Sequence, residues 1–395
     1  MALRQADGQP AVVSDRITMA PPRPRRDRVT DWMREQALDA LVVTGADLVT
    51  WLTGYSRYYG GLSALVLGPS GERTLVVPRD EVPVAERLAD ADRVAGYGER
   101  GFGLELNPLP LLAAAVLDLA AVSSAARIGF TGEDGGHIAG EGRAASVPAS
   151  EALRRMTLVK DGDELAKIFH AYELCWLAHA AVADGARAGA SEIEMMSAAQ
   201  AAAQVAHGEP VEFGADLLVA GNTAEVCGPI AVPGRTRATP GAPVIADITV
   251  GADGYWADTC RTHVHGTNSE VEDILAQLQG ILTAAASELR EAAVTAAVYR
   301  SMSARIAAAW PDGEFPHHAG HGVGLSVFDD PHVIPSDASV LESWMVLALE
   351  PGVYLPGRFG VRKENLFLVT PDGAVELTEA MRRPLSDRAL AGWSS

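Results

Sequence analysis

Apolar and polar positions follow two different periods along the first third of the chain. RRDRVTDWMREQALDAL repeats its apolar residues every three to four positions and predicts a helix, whereas LVVTG is a continuous apolar run and predicts a buried strand. SALVLG and RTLVVP flank the turn PSGE and predict paired strands. Helices over EVPVAERLADA and about 108–122 follow, and then a strand in ARIGFTG. Alternation of this kind predicts an α/β domain over 24–153. No Gly-x-Gly-x-x-Gly stands at a strand-to-helix junction there, so a dinucleotide site is not indicated.

The pattern changes near MTLVKDGDELAKIFHAYELCWLAHAAVADGA. One long helix is expected to start after Asp161, an N-cap followed by acids in the first turn. A helix over about 191–207, strands over about 212–265, two helices over about 269–309 and strands to about 370 make an α+β domain, assigned to 154–395. Residues 1–23 are mixed and proline-interrupted and read as a loose arm. They lack the apolar core of a secretory signal. No run approaches the roughly 18 apolar residues that a membrane helix needs.

Composition narrows the partners. A chain of 395 residues, 48% hydrophobic, buries a large core and is expected to form two domains. Its net charge of -19 repels phosphate backbones and anionic membrane surfaces, so neither nucleic acid nor membrane is an expected partner. Cys175, Cys227 and Cys260 form no CxxC pair, which argues against a disulfide framework or a thiolate zinc site and fits a reducing cytoplasm.

The stretch ADITVGADGYWAD sets Asp247 and Asp258 in strand-like surroundings on either side of a turn. Whether the loop is Ala252-Asp253 or Gly251 to Gly254, the two acids are expected directly opposite each other, with Cβ atoms about 4.5–5.5 Å apart. Like charges so placed repel. Either a cation lies between them, or one acid is exposed or protonated. In MVLALEPGVYLPGRFGVRKENLFLVT, Glu350 and Glu364 lie equidistant from Gly357 in two apolar strands and are expected to face each other likewise. Between these hairpins, FPHHAGHGVGLSV brackets His321 with Gly320, Gly322 and Gly324, which let the backbone crowd close. Four carboxylates and one imidazole suit a pair of divalent ions such as Mn, Co, Fe or Zn. Two such ions about 3.5–4 Å apart lower the pKa of a shared water.

With these residues in place, the chain from about 25 to 380 resembles the pita-bread metallohydrolases: methionine aminopeptidase, prolidase, Xaa-Pro aminopeptidase and their creatinase-like relatives. ADLVTWLTGY, LRRMTLVKDGDELAKI, DITVGADGYWADTCRT, HAGHGVGL and LEPGVYLPGRFGVRKEN carry the resemblance. It implies a creatinase-like N-terminal domain and a pita-bread catalytic domain. It also implies Asp247, Asp258, His321, Glu350 and Glu364 as ligands, with Asp258 and Glu364 bridging. Arg362 matches a family arginine near the site, and His317 a family histidine four residues before the ligand.

Two departures concern substrate. Phe328 stands where the proline-specific peptidases carry a second histidine, and Ile230 where another precedes the first aspartate, with Cys227 nearby but no imidazole. Cys260, where threonine is commoner, is expected to be a small residue behind the ligands; His332 is a possible substitute imidazole; His263 and His265 alternate on one strand face, a surface pair or pocket residues. The expected chemistry is metal-assisted hydrolysis. Glu350 takes a proton from water and passes it to the leaving nitrogen, while His317 and Arg362 orient substrate or move protons. The leading expectation is a peptidase on short peptides, with proline after the cleaved bond as one case. The alternatives are a small-molecule C–N hydrolase of the ectoine hydrolase or creatinase kind and a non-catalytic binding protein. The resemblance further implies a homodimer in which the loop SRYYGGL, with Arg57, Tyr58 and Tyr59, reaches the neighbour's site.

Overall fold

The computed structural model describes residues 22–57, 60–99, 107–119, 127–132, 134, 138, 145–224 and 232–380. Of the expected arm only residues 22 and 23 fall among them, and Tyr58, Tyr59, Cys227 and Ile230 lie outside. Two compact units divide the described residues between Thr157 and Leu158, the first beginning at Arg23.

In the first unit, α1 (Arg25–Glu35), β1 (Ala40–Thr44) and α2 (Ala46–Thr53) lead into β2 (Ala64–Leu67) and β3 (Arg73–Pro78). Then come α3 (Val82–Leu88), β4 (Arg93–Tyr97), α4 (Leu109–Leu119), β5 (Arg127–Phe130), β6 (Ala145–Pro148) and α5 (Ser150–Leu158). The strands form one mixed sheet in the order β4-β3-β2-β1-β5-β6. SALVLG and RTLVVP pair antiparallel as anticipated, Leu65 facing Leu75. Strand β4, in RVAGY, escaped the pattern because only Tyr97 in it is fully buried, so its apolar signal is weak. Val42, Val66, Val76 and Ile128 of the sheet pack against Leu112 and Val116 of α4.

The second unit opens with α6 (Gly162–Arg187). Asp161 caps it reciprocally: its carboxylate accepts from the amides of Asp163 and Glu164, and Glu164 accepts from the Asp161 amide. Helix α7 (Glu192–His207) follows, then β7 (Glu212–Val219), a short 3-10 turn, β8 (Pro243–Ala252) and β9 (Tyr255–Val264) in a three-stranded sheet ordered β7-β8-β9. Helices α8 (Ser269–Glu288) and α9 (Thr295–Ala309) precede β10 (Gly320–Gly322), β11 (Asp329–His332), β12 (Val346–Leu349), β13 (Gly352–Leu355), β14 (Phe359–Arg362), β15 (Asn365–Thr370), β16 (Gly373–Glu376) and α10 (Leu377–Ala380). A five-stranded sheet runs β11-β10-β12-β15-β16, while β13 and β14 form a separate hairpin. One core joins α6 and α7 to β7, β8 and β9; another joins α8 and α9 to β12 and β15. Among the described residues, no helix is long and apolar enough to cross a membrane.

Candidate metal centre

The first acid pair sits on the β8–β9 hairpin in a register different from the one anticipated. Asp247 faces Cys260, and Asp258 faces Thr249. The cause is the turn. Its two loop residues are Asp253 and Gly254, with φ of 52° and 77°, the left-handed pair of a type I′ turn whose twist matches the strands. The ladder is therefore displaced by one residue on each strand. Asp247 and Asp258 become diagonal neighbours, still on one face because the displacement preserves parity.

The second pair keeps the register expected from Gly357. That residue has φ of 72° at the centre of the loop between β13 and β14. Gly352 faces Arg362 on the near side of the acids, and Leu349 faces Asn365 on the far side, so Glu350 and Glu364 stand in line between two ladders of common register. Further backbone contacts fix them. The Glu350 amide donates to Ala319 O (3.0 Å) and the Glu364 amide to Cys260 O (3.0 Å). Thr259 Oγ1 donates to Glu364 O (2.8 Å), which stitches this strand to β9 beside Asp258.

His321 reaches the same point from β10. An added Cβ at Gly320 (φ 153°) would lie 2.0 Å from Ala348 O, and one at Gly322 2.0 Å from Asp330 O. Only glycine lets both neighbouring strands close on the imidazole. Nδ1 of His321 donates to Gly322 O (2.9 Å), which leaves the Nε2 lone pair pointing inward. From Nε2 it is 3.6 Å to Asp258 Oδ2, 3.7 Å to Glu364 Oε1 and 3.9 Å to Glu350 Oε1.

Asp258, His321 and Glu364 are buried, and one ligand atom from each lies within 4.8 Å of the others. Among the described residues, Asp247 Oδ1, Asp258 Oδ1 and both carboxylate oxygens of Glu364 are buried without a hydrogen-bond partner. Protein interiors rarely leave such acceptors unsatisfied. A hard divalent cation meets that need, and the donor set of carboxylates and one neutral imidazole fits it. The electrostatics agree. Burial, and then the charges of Asp247 and Glu350, push the Asp258 carboxyl well above the usual carboxylate range. Burial followed by Asp258, Asp247 and Glu350 does the same to Glu364. At Glu350 burial also pushes upward, but His318, His317 and His321 outweigh it and hold the carboxyl at about 2.

The remaining predicted residues are distributed unevenly. Arg362, 2% exposed, binds Asp247 through Nη2 (2.7 Å) and Asp216 (3.2 Å), and donates from Nη1 to Tyr354 Oη (3.1 Å). It is thus a clamp on a predicted ligand. His317 is partly buried, its Nδ1 donating to His318 O (2.7 Å) and its Nε2 accepting from Tyr354 Oη (3.0 Å); Nδ1 stands 3.8 Å from Glu350 Oε2. Phe328 is 57% exposed and sets its ring edge-on to His321 and His318, with centroids 4.7 and 6.0 Å apart. Cys260 is buried against Arg362, and burial raises its thiol pKa, which makes it inert. His332 pairs with Asp330 at 3.7 Å. His263 is buried, with its ring 5.8 Å from that of His179. Arg57 is exposed in the other unit.

Three residues of the centre were not anticipated. His318 Nδ1 lies 2.8 Å from Glu350 Oε1, closer than His317; the doublet in PHHAGH was its only signal. Asp216 faces Asp247 across β7–β8, and burial followed by the Asp247 charge pushes its carboxyl up to about 6. Its sequence context, FGADLL, carries no turn from which a register could be read. Tyr354, diagonal to Arg362 on the β13–β14 hairpin, joins that arginine to His317.

A buried cluster of acids around one imidazole, on hairpins from opposite ends of an α+β domain, defines a metallohydrolase. Residues 166–371 match metallopeptidase family M24 and residues 25–154 match the creatinase/prolidase N-terminal domain; the chain belongs to family M24. Its fold is therefore a creatinase-like α/β domain followed by an α+β pita-bread catalytic domain, and its centre is one for divalent metal ions. The chain is 29% identical over 363 residues to a protein of Mycobacterium tuberculosis (strain CDC 1551 / Oshkosh) named "Probable dipeptidase PepE", covering 87% of this chain and 90% of the relative. It is 26% identical over 360 residues to a Pyrococcus horikoshii protein named "Xaa-Pro dipeptidase", covering 90% and 97%. The solved X-Pro aminopeptidase of Thermotoga maritima superposes with a TM-score of 0.74 at 20% identity, over 91% of this chain and 98% of that one, and shows the shared fold.

Proposed function

We propose that this protein is a peptidase that hydrolyses short peptides, dipeptides among them, at a pair of divalent ions held by Asp247, Asp258, His321, Glu350 and Glu364. The observation that carries the proposal is the set of buried, unpartnered carboxylate oxygens on Asp247, Asp258 and Glu364, beside His321 Nε2, which stands 3.6 Å from Asp258 Oδ2 and 3.7 Å from Glu364 Oε1. Bound ions of the Mn, Co, Fe or Zn type would supply Lewis acidity to the scissile carbonyl and acidify a water.

The chain's own groups supply the rest. Glu350 accepts the proton of the attacking water and delivers it to the leaving amine. His318, 2.8 Å from Oε1, holds that carboxylate and keeps it ionised at neutral pH. Tyr354 and His317 form a hydrogen-bonded row beside it, ending on Arg362, which steadies Asp247. Phe328, exposed at the edge of the centre, offers an apolar face to a substrate side chain. In a homodimer, the loop carrying Arg57, Tyr58 and Tyr59 would contribute a cation and two phenols toward a substrate carboxylate.

The test is turnover by chelator-stripped protein reloaded in turn with Mn, Co and Zn. Ala-Pro, Gly-Pro and proline-free dipeptides are set against creatine and ectoine-like cyclic amidines. Hydrolysis of at least one dipeptide class is expected. Folded, metal-replete protein that cleaves no dipeptide with any of the metals disproves the reading, and turnover of the small amidines alone replaces it with a C–N hydrolase.

A further inference from the structure

A second group of metal-ligating side chains stands apart from the carboxylate-rich centre. His170 lies on α6, His207 is the last residue of α7, and Asp253 is the first loop residue of the β8–β9 turn. One ligand atom from each lies within 4.8 Å of the other two. His170 Nε2 and His207 Nδ1 are 3.0 Å apart.

That spacing has two physical readings. Two neutral imidazoles at 3.0 Å share one proton in a hydrogen bond. Two imidazole nitrogens on a common ion, with bonds of about 2.0–2.1 Å and angles of roughly 95–110°, also stand about 3.0–3.4 Å apart, so an ion can replace the shared proton with little movement. The third group separates the readings. Asp253 adds a carboxylate from a different element, which a simple imidazole pair does not need. Asparagine or glycine would serve the left-handed turn position equally well.

We propose that His170, His207 and Asp253 form a peripheral site for a borderline divalent cation, Zn above all, distinct from the catalytic centre. Two imidazoles and one carboxylate leave an open position for water, and imidazole donors favour Zn, Ni or Cu over the harder Mn. His207 ends α7, where the helix dipole favours a cation. A bound ion ties the third turn of α6 and the C-terminus of α7 to the tip of the hairpin that carries Asp247 and Asp258, so it stabilises the fold and not the reaction itself.

Zinc and manganese stoichiometries of dialysed protein test this, measured by elemental analysis for wild type, His170→Ala/His207→Ala and Asp253→Asn. The double variant is expected to retain one zinc fewer per chain, with its manganese content and its rate of dipeptide hydrolysis unchanged. Asp253→Asn keeps the turn conformation and should weaken the extra zinc at least tenfold. Zinc added to manganese-loaded protein should raise the unfolding midpoint of wild type and leave that of the double variant where it was. Equal zinc content in wild type and the double variant overturns the site, and unchanged zinc affinity in Asp253→Asn removes the carboxylate and with it the three-ligand reading.

Discussion

Nδ1 of His318 stands 2.8 Å from Oε1 of Glu350, whereas Nδ1 of His317 stands 3.8 Å from Oε2 of the same carboxylate. The nearer imidazole holds the carboxylate; the farther one is already engaged with Tyr354 and the His318 carbonyl. Replacing a residue that supports a metal ligand typically costs about 10–100-fold in activity or affinity. His318→Ala is expected to lower kcat by that amount at constant metal content, measured by steady-state kinetics with parallel metal analysis. A wild-type kcat in that variant would detach His318 from the mechanism.

Glu350→Gln keeps the volume and removes the proton acceptor. Turnover should drop by about 10²–10⁴-fold at matched metal content, while circular dichroism stays near wild type. An active, metal-replete Gln variant is the result that rules out Glu350 as the base.

The buried acids repel one another, and metal relieves the repulsion. Chelation should therefore lower stability, and readdition should restore it by about 2.7 kcal/mol for each bound ion when free metal is 100-fold above its Kd. Thermal unfolding with and without Mn reads this directly. Asp258→Asn, which removes a carboxylate whose Oδ1 has no hydrogen-bond partner, should shrink the metal-dependent part. An unfolding midpoint indifferent to metal contradicts the electrostatic argument.

Gly320→Ala drives a Cβ to 2.0 Å from Ala348 O, in a backbone conformation with φ of 153°. A loss of ~3 kcal/mol or more is expected from strain of this kind. Urea denaturation measures it, and the metal content of the variant should fall as His321 is displaced. Near-wild-type stability would mean that β10 can move away from β12 at little cost.

Burial, followed by the charges of Arg261 and Arg187, pushes His263 from an ordinary value of 6.5 down to about 3. Between these values the unfolded chain binds a proton that the folded chain refuses, so stability is full above pH 6.5 and declines as the pH falls toward 3. At pH 5 this histidine should account for a loss of roughly 2 kcal/mol relative to pH 7.5. Urea denaturation of wild type and His263→Phe at the two pH values checks it. The variant should show a smaller loss, and equal losses would refute a buried neutral imidazole.

Much of the fold could be read from local chemistry. Asp161 announced the start of α6 because a capping carboxylate acts on amides two and three residues away. The register around Gly357 was legible because a central glycine in a short loop leaves few ways to close it. The β8–β9 register was not, since ADG offers several loops, and the choice of Asp253-Gly254 rests on matching the turn to the twist of a three-stranded sheet.

By itself the chain of residues determined which side chains are hard metal donors and, through the two-residue period of a strand, that Asp247 shares a face with Asp258 and Glu350 with Glu364. Only the tertiary structure decided that Asp258, Glu364 and Glu350 meet at His321 Nε2, that Arg362 grips Asp247 and Asp216, and that His318 is the imidazole nearest Glu350. The reason is range: strand parity follows from covalent geometry over a few residues, whereas burial and charge act between segments that only the packed fold brings together.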